Sequence, residues 1–265
     1  VDVNKISTET GRVVSQRQLP EIEYRLRPTK IGRSPLYLQL LSSVNYVSVE
    51  RSATFSGDYG RVDFFPQLAL PLRAWPWLSL SLKAGGRATW YGESVAANQQ
   101  SFTGEQVTRI YPTAGVSMIG PSLSRLFATK ESKLKHVIEP RVEYDFLGDF
   151  DEIGEIPLFD EVDTQRPASL ARFSLVQRFL VKPNQAGALN SAREVFSFEI
   201  AQPYSFDSGR PLQRSGDGLQ TEAWGPLSML ARYQPSAGTN IKAEATYNTL
   251  FGGLEATALT GQLAL

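Results

Sequence analysis

The chain has 265 residues, 42% of them hydrophobic, with 27 acidic and 27 basic side chains and a sequence pI near 6.8. Zero net charge removes the general electrostatic drive toward nucleic acid, and no basic tail supplies a local one, so nucleic acid is not an expected partner. The lack of cysteine excludes disulfides and thiolate metal sites within these residues, and no stretch reaches the roughly 20 apolar residues of a spanning helix, so any membrane crossing must use strands.

Read in order, the sequence predicts about eleven strands at a spacing of roughly two dozen residues, the length of one long strand plus one connection. They fall near 18–27, 36–50, 61–72, 77–91, 107–118, 136–147, 169–182, 193–205, 226–234, 239–249 and 253–265. In the first, Ile22, Tyr24 and Leu26 oppose Glu21, Glu23, Arg25 and Arg27. The second is less regular, with Leu41 and Val47 on its expected wet face. The fourth is the clearest: Leu78, Leu80, Leu82, Ala84, Gly86, Ala88 and Trp90 share one face, and Ser79, Ser81, Lys83, Gly85, Arg87, Thr89 and Tyr91 the other. At about fifteen residues it far exceeds the roughly 5–6 typical of globular proteins.

The pattern continues downstream. Ile110, Pro112, Ala114, Val116 and Met118 oppose Arg109, Tyr111, Thr113 and Ser117. Ile138, Pro140, Val142, Tyr144 and Phe146 oppose Glu139, Arg141, Glu143 and Asp145. Phe173, Leu175, Phe179 and Val181 face away from Arg172, Ser174 and Arg178, and Ile241, Ala243, Ala245 and Tyr247 from Lys242, Glu244, Thr246 and Asn248. The last strand changes phase around Ala258-Leu259, which a bulge or a protein contact would explain. The repetition predicts an all-β, antiparallel transmembrane wall with lipid on one side and water on the other.

Aromatic residues mark the strand ends, with Trp75 and Trp77 opening the fourth, Trp90 and Tyr91 closing it and Trp224 preceding the ninth, as in the interfacial girdles of outer-membrane barrels. Connections 73–76 and 235–238 are tight, whereas 92–106, 148–168 and 206–225 are long and polar. Alternate counting puts the long loops on one side, the extracellular one, and the tight turns on the periplasmic side. The fairly long connections 119–135 and 183–192 fit that count least well. Pro20, Pro66, Pro71, Pro112, Pro140 and Pro203 each remove a ladder donor and read as strand ends or bulges, since they are spread over strands that cannot all border one opening seam.

Little points to catalysis. His136 is the only histidine, no Gly-x-Ser-x-Gly elbow accompanies it, and interfacial hydrogen bonding is its expected role. Gly85-Gly86 and Gly252-Gly253 lack the helix and Lys-Ser/Thr of a phosphate cradle. Glu139, Glu143 and Asp145 resemble a glycosidase carboxylate set, but Arg141 interleaves them and a solvated lumen face accounts for all four. No cofactor or catalytic group is expected. The acidic run Asp149, Asp151, Glu152, Glu155, Asp160, Glu161 and Asp163 offers oxygens suited to calcium, in an order unlike an EF-hand loop. It reads better as a long extracellular loop folded over the barrel mouth, anchored by Leu158 and Phe159, with acids such as Asp160 and Asp163 pairing with lumen arginines. Candidate lumen-facing contacts for substrate or a plug protein are Lys83, Arg87, Arg109, Glu139, Arg141, Glu143, Asp145, Arg172 and Arg178.

Several segments resemble a known family. Leu19-Pro20-Glu21-Ile22-Glu23-Tyr24, Ser34-Pro35-Leu36-Tyr37-Leu38, Arg61-Val62-Asp63-Phe64-Phe65-Pro66 with Leu70-Pro71, Arg109-Ile110-Tyr111-Pro112, the run His136 to Tyr144 and Ile156-Pro157-Leu158-Phe159-Asp160-Glu161-Val162-Asp163 are similar, in order, to the barrel of the LptD family, the organic solvent tolerance proteins. After about residue 193 the likeness rests on strand spacing. The resemblance implies an outer-membrane translocon that delivers lipopolysaccharide to the outer leaflet, plugged by the lipoprotein LptE and supplied by periplasmic lipopolysaccharide-bridge proteins through an N-terminal jelly-roll domain. It also implies that residues 1–265 are part of one larger transmembrane barrel with membrane lipid around it, and it carries over no gate residue. A generic diffusion porin is the nearer alternative; an outer-membrane enzyme or a soluble carbohydrate-binding β-domain is the more distant one.

Overall fold

Alternation of period two sends successive side chains to opposite faces, so a strand that is apolar on one face and charged on the other is stable only between two unlike environments. The computed structural model describes residues 3–7, 13–52, 55–96, 101–130, 132–183 and 192–263. Its strands are β1 (Val3–Ser7), β2 (Val13–Lys30), β3 (Tyr37–Ser52), β4 (Phe55–Trp75), β5 (Leu78–Tyr91), β6 (Val107–Ile119), β7 (Leu123–Ala128) and β8 (Ser132–Leu147). These are followed by β9 (Ala168–Pro183), β10 (Arg193–Ser205), β11 (Gln213–Arg214), β12 (Thr221–Glu222), β13 (Leu227–Ser236), β14 (Thr239–Asn248) and β15 (Gly253–Leu263). The only helical turn among the described residues is Glu152–Gly154. Thirteen strands form one sheet whose ladder follows chain order, with β7 off the path and paired to β8; β11 and β12 form a small separate hairpin. This is the expected all-β, antiparallel barrel wall, with β1, β7, β11 and β12 added to the eleven long strands read from the sequence.

At 21 residues, β4 is about twice the roughly 9–11 residues that a tilted strand needs to cross a bilayer, so it reaches beyond the hydrocarbon layer. The wall divides into two compact units, one of residues 1–71, 82–115 and 146–168 and the other of 72–81, 116–145 and 169–265.

In the first unit β3 and β4 pair without interruption from Tyr37↔Ala69 to Glu50↔Ser56. This register sets Val44 opposite Val62 and Ser42 opposite Phe64 on one face, and Asn45 opposite Arg61 and Ser43 opposite Asp63 on the other. Against β2 the register slips by one residue between Gln18 and Glu21 and again between Leu26 and Thr29, at Pro20 and Pro28. A proline has no N–H for the ladder, and a bulge absorbs that loss. In the second unit a similar slip between Thr246 and Tyr247 leaves Glu255 extra, so that Leu254 pairs with Tyr247 and Leu259 with Ala243. The expected phase change is therefore a bulge, placed three residues before Ala258.

Burial is inverted relative to a soluble sheet. Ile22 and Ile110 are each 67% exposed, as are to lesser degrees Val44, Val62, Phe64, Leu68, Phe173, Leu175 and Ile241, while Asn45, Arg61, Asp63, Arg87, Thr89 and Arg109 are buried. The core of the first unit lies on the polar side. Val47, Val49, Tyr59, Tyr91, Val95, Val107, Tyr111, Phe150 and Ile156 form it, with Phe102, Leu147, Ile153 and Phe159 packed around them. Val47 thus belongs to this core rather than to a wet surface, because Val95 and Phe102, ahead of β6, and Phe150 and Ile156, beyond β8, join the same cluster.

Prolines inside the strands mark where a neighbouring strand departs. Pro112 O accepts from Gly148 N–H at 2.9 Å, Pro140 O from Gly120 N–H at 2.8 Å and Pro203 O from Gly225 N–H at 2.8 Å. A Cβ on Gly148 would stand 2.7 Å from Pro112 Cδ, and one on Gly225 2.6 Å from Pro203 Cγ. At 148 and 225 glycine is what lets the chain pass over the proline ring.

Candidate functional site: the polar face of the wall

Three arginines rise from neighbouring strands onto the covered polar face of the first unit: Arg61 from β4, Arg87 from β5 and Arg109 from β6. Each needs an anionic or carbonyl partner, because a buried guanidinium without one carries an uncompensated charge. Arg87 is met by its neighbour strand, Nε and Nη2 donating to the two Asp63 oxygens at 2.8 and 2.9 Å, while Thr89 Oγ1 donates to Asp63 at 2.7 Å. This is the planar, two-point geometry that suits arginine to carboxylate.

Arg61 reaches instead to segment 148–168. Its Nη2 donates to Asp160 Oδ2 at 2.6 Å, and its Nη1 to Asp163 Oδ1 and Oδ2 at 2.9 and 3.0 Å. Asp163 also accepts from Tyr91 O–H at 2.8 Å and from the backbone N–H groups of Phe159 and Asp160 at 3.0 and 3.3 Å. With its amide oriented to satisfy both ends, Asn45 accepts from Arg61 Nη2 at 2.9 Å. Arg109 donates to Val162 O at 2.7 Å and lies 5.2 Å over the rings of both Tyr111 and Phe150. Burial pushes the Asp163 carboxyl above its usual range, while Arg61 pulls the other way.

Segment 148–168 is thereby fastened at both charge and packing level. Ile156 is fully buried, Phe150 stacks on Tyr111 at 5.1 Å, and Val95 N–H donates to Glu155 O at 2.8 Å. Phe159 packs at the margin of the core, with Arg61 6.0 Å over its ring, and Leu158 is only half-buried. The deepest anchors are thus Ile156 and Phe150, which precede Leu158 and Phe159 in the chain. Beside the fastening lies a cleft of about 450 Å³, lined by Glu21, Glu23, Arg25, Ser43, Asp160 and Gln165 among others.

The sequence-derived candidates distribute unevenly. Arg87, Arg109, Phe159, Asp160 and Asp163 come together in the first unit. In the second, Glu139 is shared by Arg141, at 3.2 Å, and Arg178. Arg172 lies 3.9 Å from Glu199 and donates weakly to Ser228. Lys83, Glu143 and Asp145 are exposed. Sequence reasoning missed Arg61, Asp63 and Tyr91 as site residues. The alternation places all three on the polar face, but the partner of Arg61 lies on a loop that no strand period could locate. Among the described residues no group of three His, Asp or Glu side chains is arranged to hold a metal; Asp160 and Asp163 are engaged with Arg61. His136 Nε2 sits 3.2 Å from Gln177 Oε1, and its ring stacks on Phe179.

A wall of long antiparallel strands, apolar outside and charged on its covered face, defines a transmembrane β-barrel protein of an outer membrane. The family model described as "LptD: LPS transport system D" matches residues 4–258, and the chain belongs to that family. It is a lipopolysaccharide transport and assembly protein of the outer membrane, with lipopolysaccharide as its substrate and the Lpt pathway as its setting. The porin alternative has no support beside this match. No curated protein matches the chain significantly.

Proposed function

We propose that the polar face of this wall, acting without covalent chemistry of its own, guides the sugar and phosphate headgroup of lipopolysaccharide while the acyl chains remain on the lipid side. The observation that carries the reading is the inverted burial: charges converge on one face, and large apolar side chains are exposed on the other. Lys83, Arg141, Arg172 and Arg178 are the cations we assign to passing phosphates or to the plug lipoprotein LptE, since Arg61, Arg87 and Arg109 are buried in their pairings, whereas these four stay in reach of solvent even where Arg141 and Arg178 share Glu139 and Arg172 lies by Glu199. The periplasmic bridge proteins would deliver substrate from the side of the tight turns 73–76 and 235–238, through the jelly-roll domain that the family resemblance implies. Residues 1–265 are then part of one larger barrel.

Segment 148–168 acts in this reading as a fixed seal over the extracellular side rather than as a moving gate. The Arg61 pairings fix the geometry of one docked position, and undocking would expose the buried apolar surface of Ile156 and Phe150. The test is neutralisation of Lys83, Arg141 and Arg178 to serine in the full natural protein. Delivery of newly made lipopolysaccharide to the cell surface should slow severalfold while LptE still co-purifies. Unchanged delivery from a normally assembled barrel would overturn the assignment.

A further inference from the structure

The β7–β8 hairpin occupies the connection 119–135 that fitted the tight-turn side least well. Gly120, at φ +118°, turns the chain out of β6, and Ser122 N–H donates to Trp77 O at 3.0 Å. From there β7 pairs with the first part of β8, from Leu123↔Ile138 to Ala128↔Lys133. Its other edge has no ladder partner among the described residues.

The register puts Leu123, Arg125 and Phe127 on the face of Ile138, His136 and Leu134. Ile138 belongs to the outward apolar set of β8, so the lipid-facing surface continues onto the hairpin. On it the His136 ring stacks 4.2 Å from Phe179, Phe179 meets Phe196 at 5.8 Å, and the Arg125 guanidinium lies 5.0 Å over Phe127. All six β7 residues are exposed, Leu123 and Leu126 by more than half. Arg125, Lys133 and Lys135 are exposed too, with no carboxylate partner among the described residues. Lys133 and Lys135 stand on the opposite face, beside Ala128 and Leu126. At the base of the hairpin, Trp75 and Trp77 are exposed and stack at 5.4 Å. Tryptophan concentrates at the headgroup level of bilayers.

We propose that this hairpin is an interfacial clamp for anionic phospholipid of the periplasmic leaflet. Leu123, Phe127 and Leu134 enter the margin of the acyl layer, and Arg125, Lys133 and Lys135 reach the lipid phosphates, the lysines by extending along their stems. The site rests on the orientation proposed above and goes beyond it by assigning a lipid. An added strand from a protein along the open β7 edge is the rival occupant; continuity with the lipid face and three exposed cations without a carboxylate partner among the described residues favour the phospholipid.

The test places a photocrosslinker at Ser124 in the full-length natural protein, reconstituted in bilayers of phosphatidylethanolamine and phosphatidylglycerol in equal amounts, with captured lipid identified by mass spectrometry. Phosphatidylglycerol should be enriched roughly tenfold over the zwitterionic lipid. R125S/K133S/K135S should bring capture to parity, and R125K/K133R/K135R should retain the enrichment. Should the triple serine variant fail to assemble, K133S alone, at an exposed position, should lower the enrichment measurably. Parity in the unaltered protein, enrichment that survives the serine changes, or capture of protein or lipopolysaccharide in its place in cell membranes would each overturn the clamp. Labelling S124C from the periplasm but not from outside intact cells checks the orientation separately, so the two failures are distinguishable.

Discussion

Arg61 and Asp163 stand 102 positions apart in the chain, yet their side chains meet at 2.9 Å, Arg61 1% and Asp163 0% exposed. One belongs to a membrane-spanning strand and the other to a polar loop, so this contact ties segment 148–168 to the wall.

Removing one partner of a buried pair strands the other charge, which costs about 3–5 kcal/mol. Arg61→Ala should therefore release segment 148–168 within an assembled barrel. Proteolysis in that segment and entry of bulky antibiotics should both rise, while lipopolysaccharide still reaches the surface. Adding Asp163→Asn to Arg61→Ala should cost less than it does alone, since the two act as one unit. Release of the loop with a complete loss of delivery would instead mark it as a gate.

The pH dependence has a definite sign. Docked, the Asp163 carboxyl is held above its ordinary range by burial, so it binds a proton more tightly docked than undocked. The cost of keeping it charged is present above the docked pKa and is relieved as pH falls through that value toward the undocked one, about 3.9. Hydrogen-exchange protection of residues 148–168, corrected for the intrinsic rate, should hold or rise from about pH 7 to about pH 5. A loop held by an exposed ion pair would loosen instead, and a fall in protection over that range would contradict the burial argument.

Where the loop leaves β8, Gly148 crosses the Pro112 ring. Gly148→Val puts a branched side chain where even a Cβ stands 2.7 Å from Pro112 Cδ, and overpacking of this kind costs about 1–3 kcal/mol. The variant should show earlier thermal loss of the folded, heat-modifiable form than Gly154→Val, where a Cβ meets nothing within 4 Å. Equal thermal behaviour of the two would remove the role assigned to the crossing.

Much of the wall was legible in the sequence because one face of each strand meets lipid and the other water, and period two records that difference residue by residue. Ile110 and Arg109 are neighbours in the chain with opposite fates, and the alternation assigned both sides. β7 escaped because its residues are exposed on both faces and so carry no alternation. Arg61 and Tyr91 escaped as a site because their meaning depends on a loop whose path is set by tertiary contacts at Ile156 and Phe150. Val47 read as misplaced for the same reason: the loop that makes its position apolar is distant in sequence.

If Leu80, Val142 and Ile110 meet lipid, an arginine at any of them should cost about 2–4 kcal/mol near the bilayer midplane and impair assembly. Charge at Ser81, or loss of it at Glu143, should be tolerated. Comparable assembly yields on both faces would remove the inside and outside assignment.

The most direct test of the account is site-specific photocrosslinking in living cells during lipopolysaccharide synthesis. Crosslinkers at Lys83, Glu143 and Arg178 on the polar face should capture LptE, or lipopolysaccharide in amounts that follow the supply of new substrate. Those at Leu80 and Val142 should capture phospholipid independently of supply. Capture of bulk phospholipid alone at both sets of positions would contradict passage of the headgroup along this face.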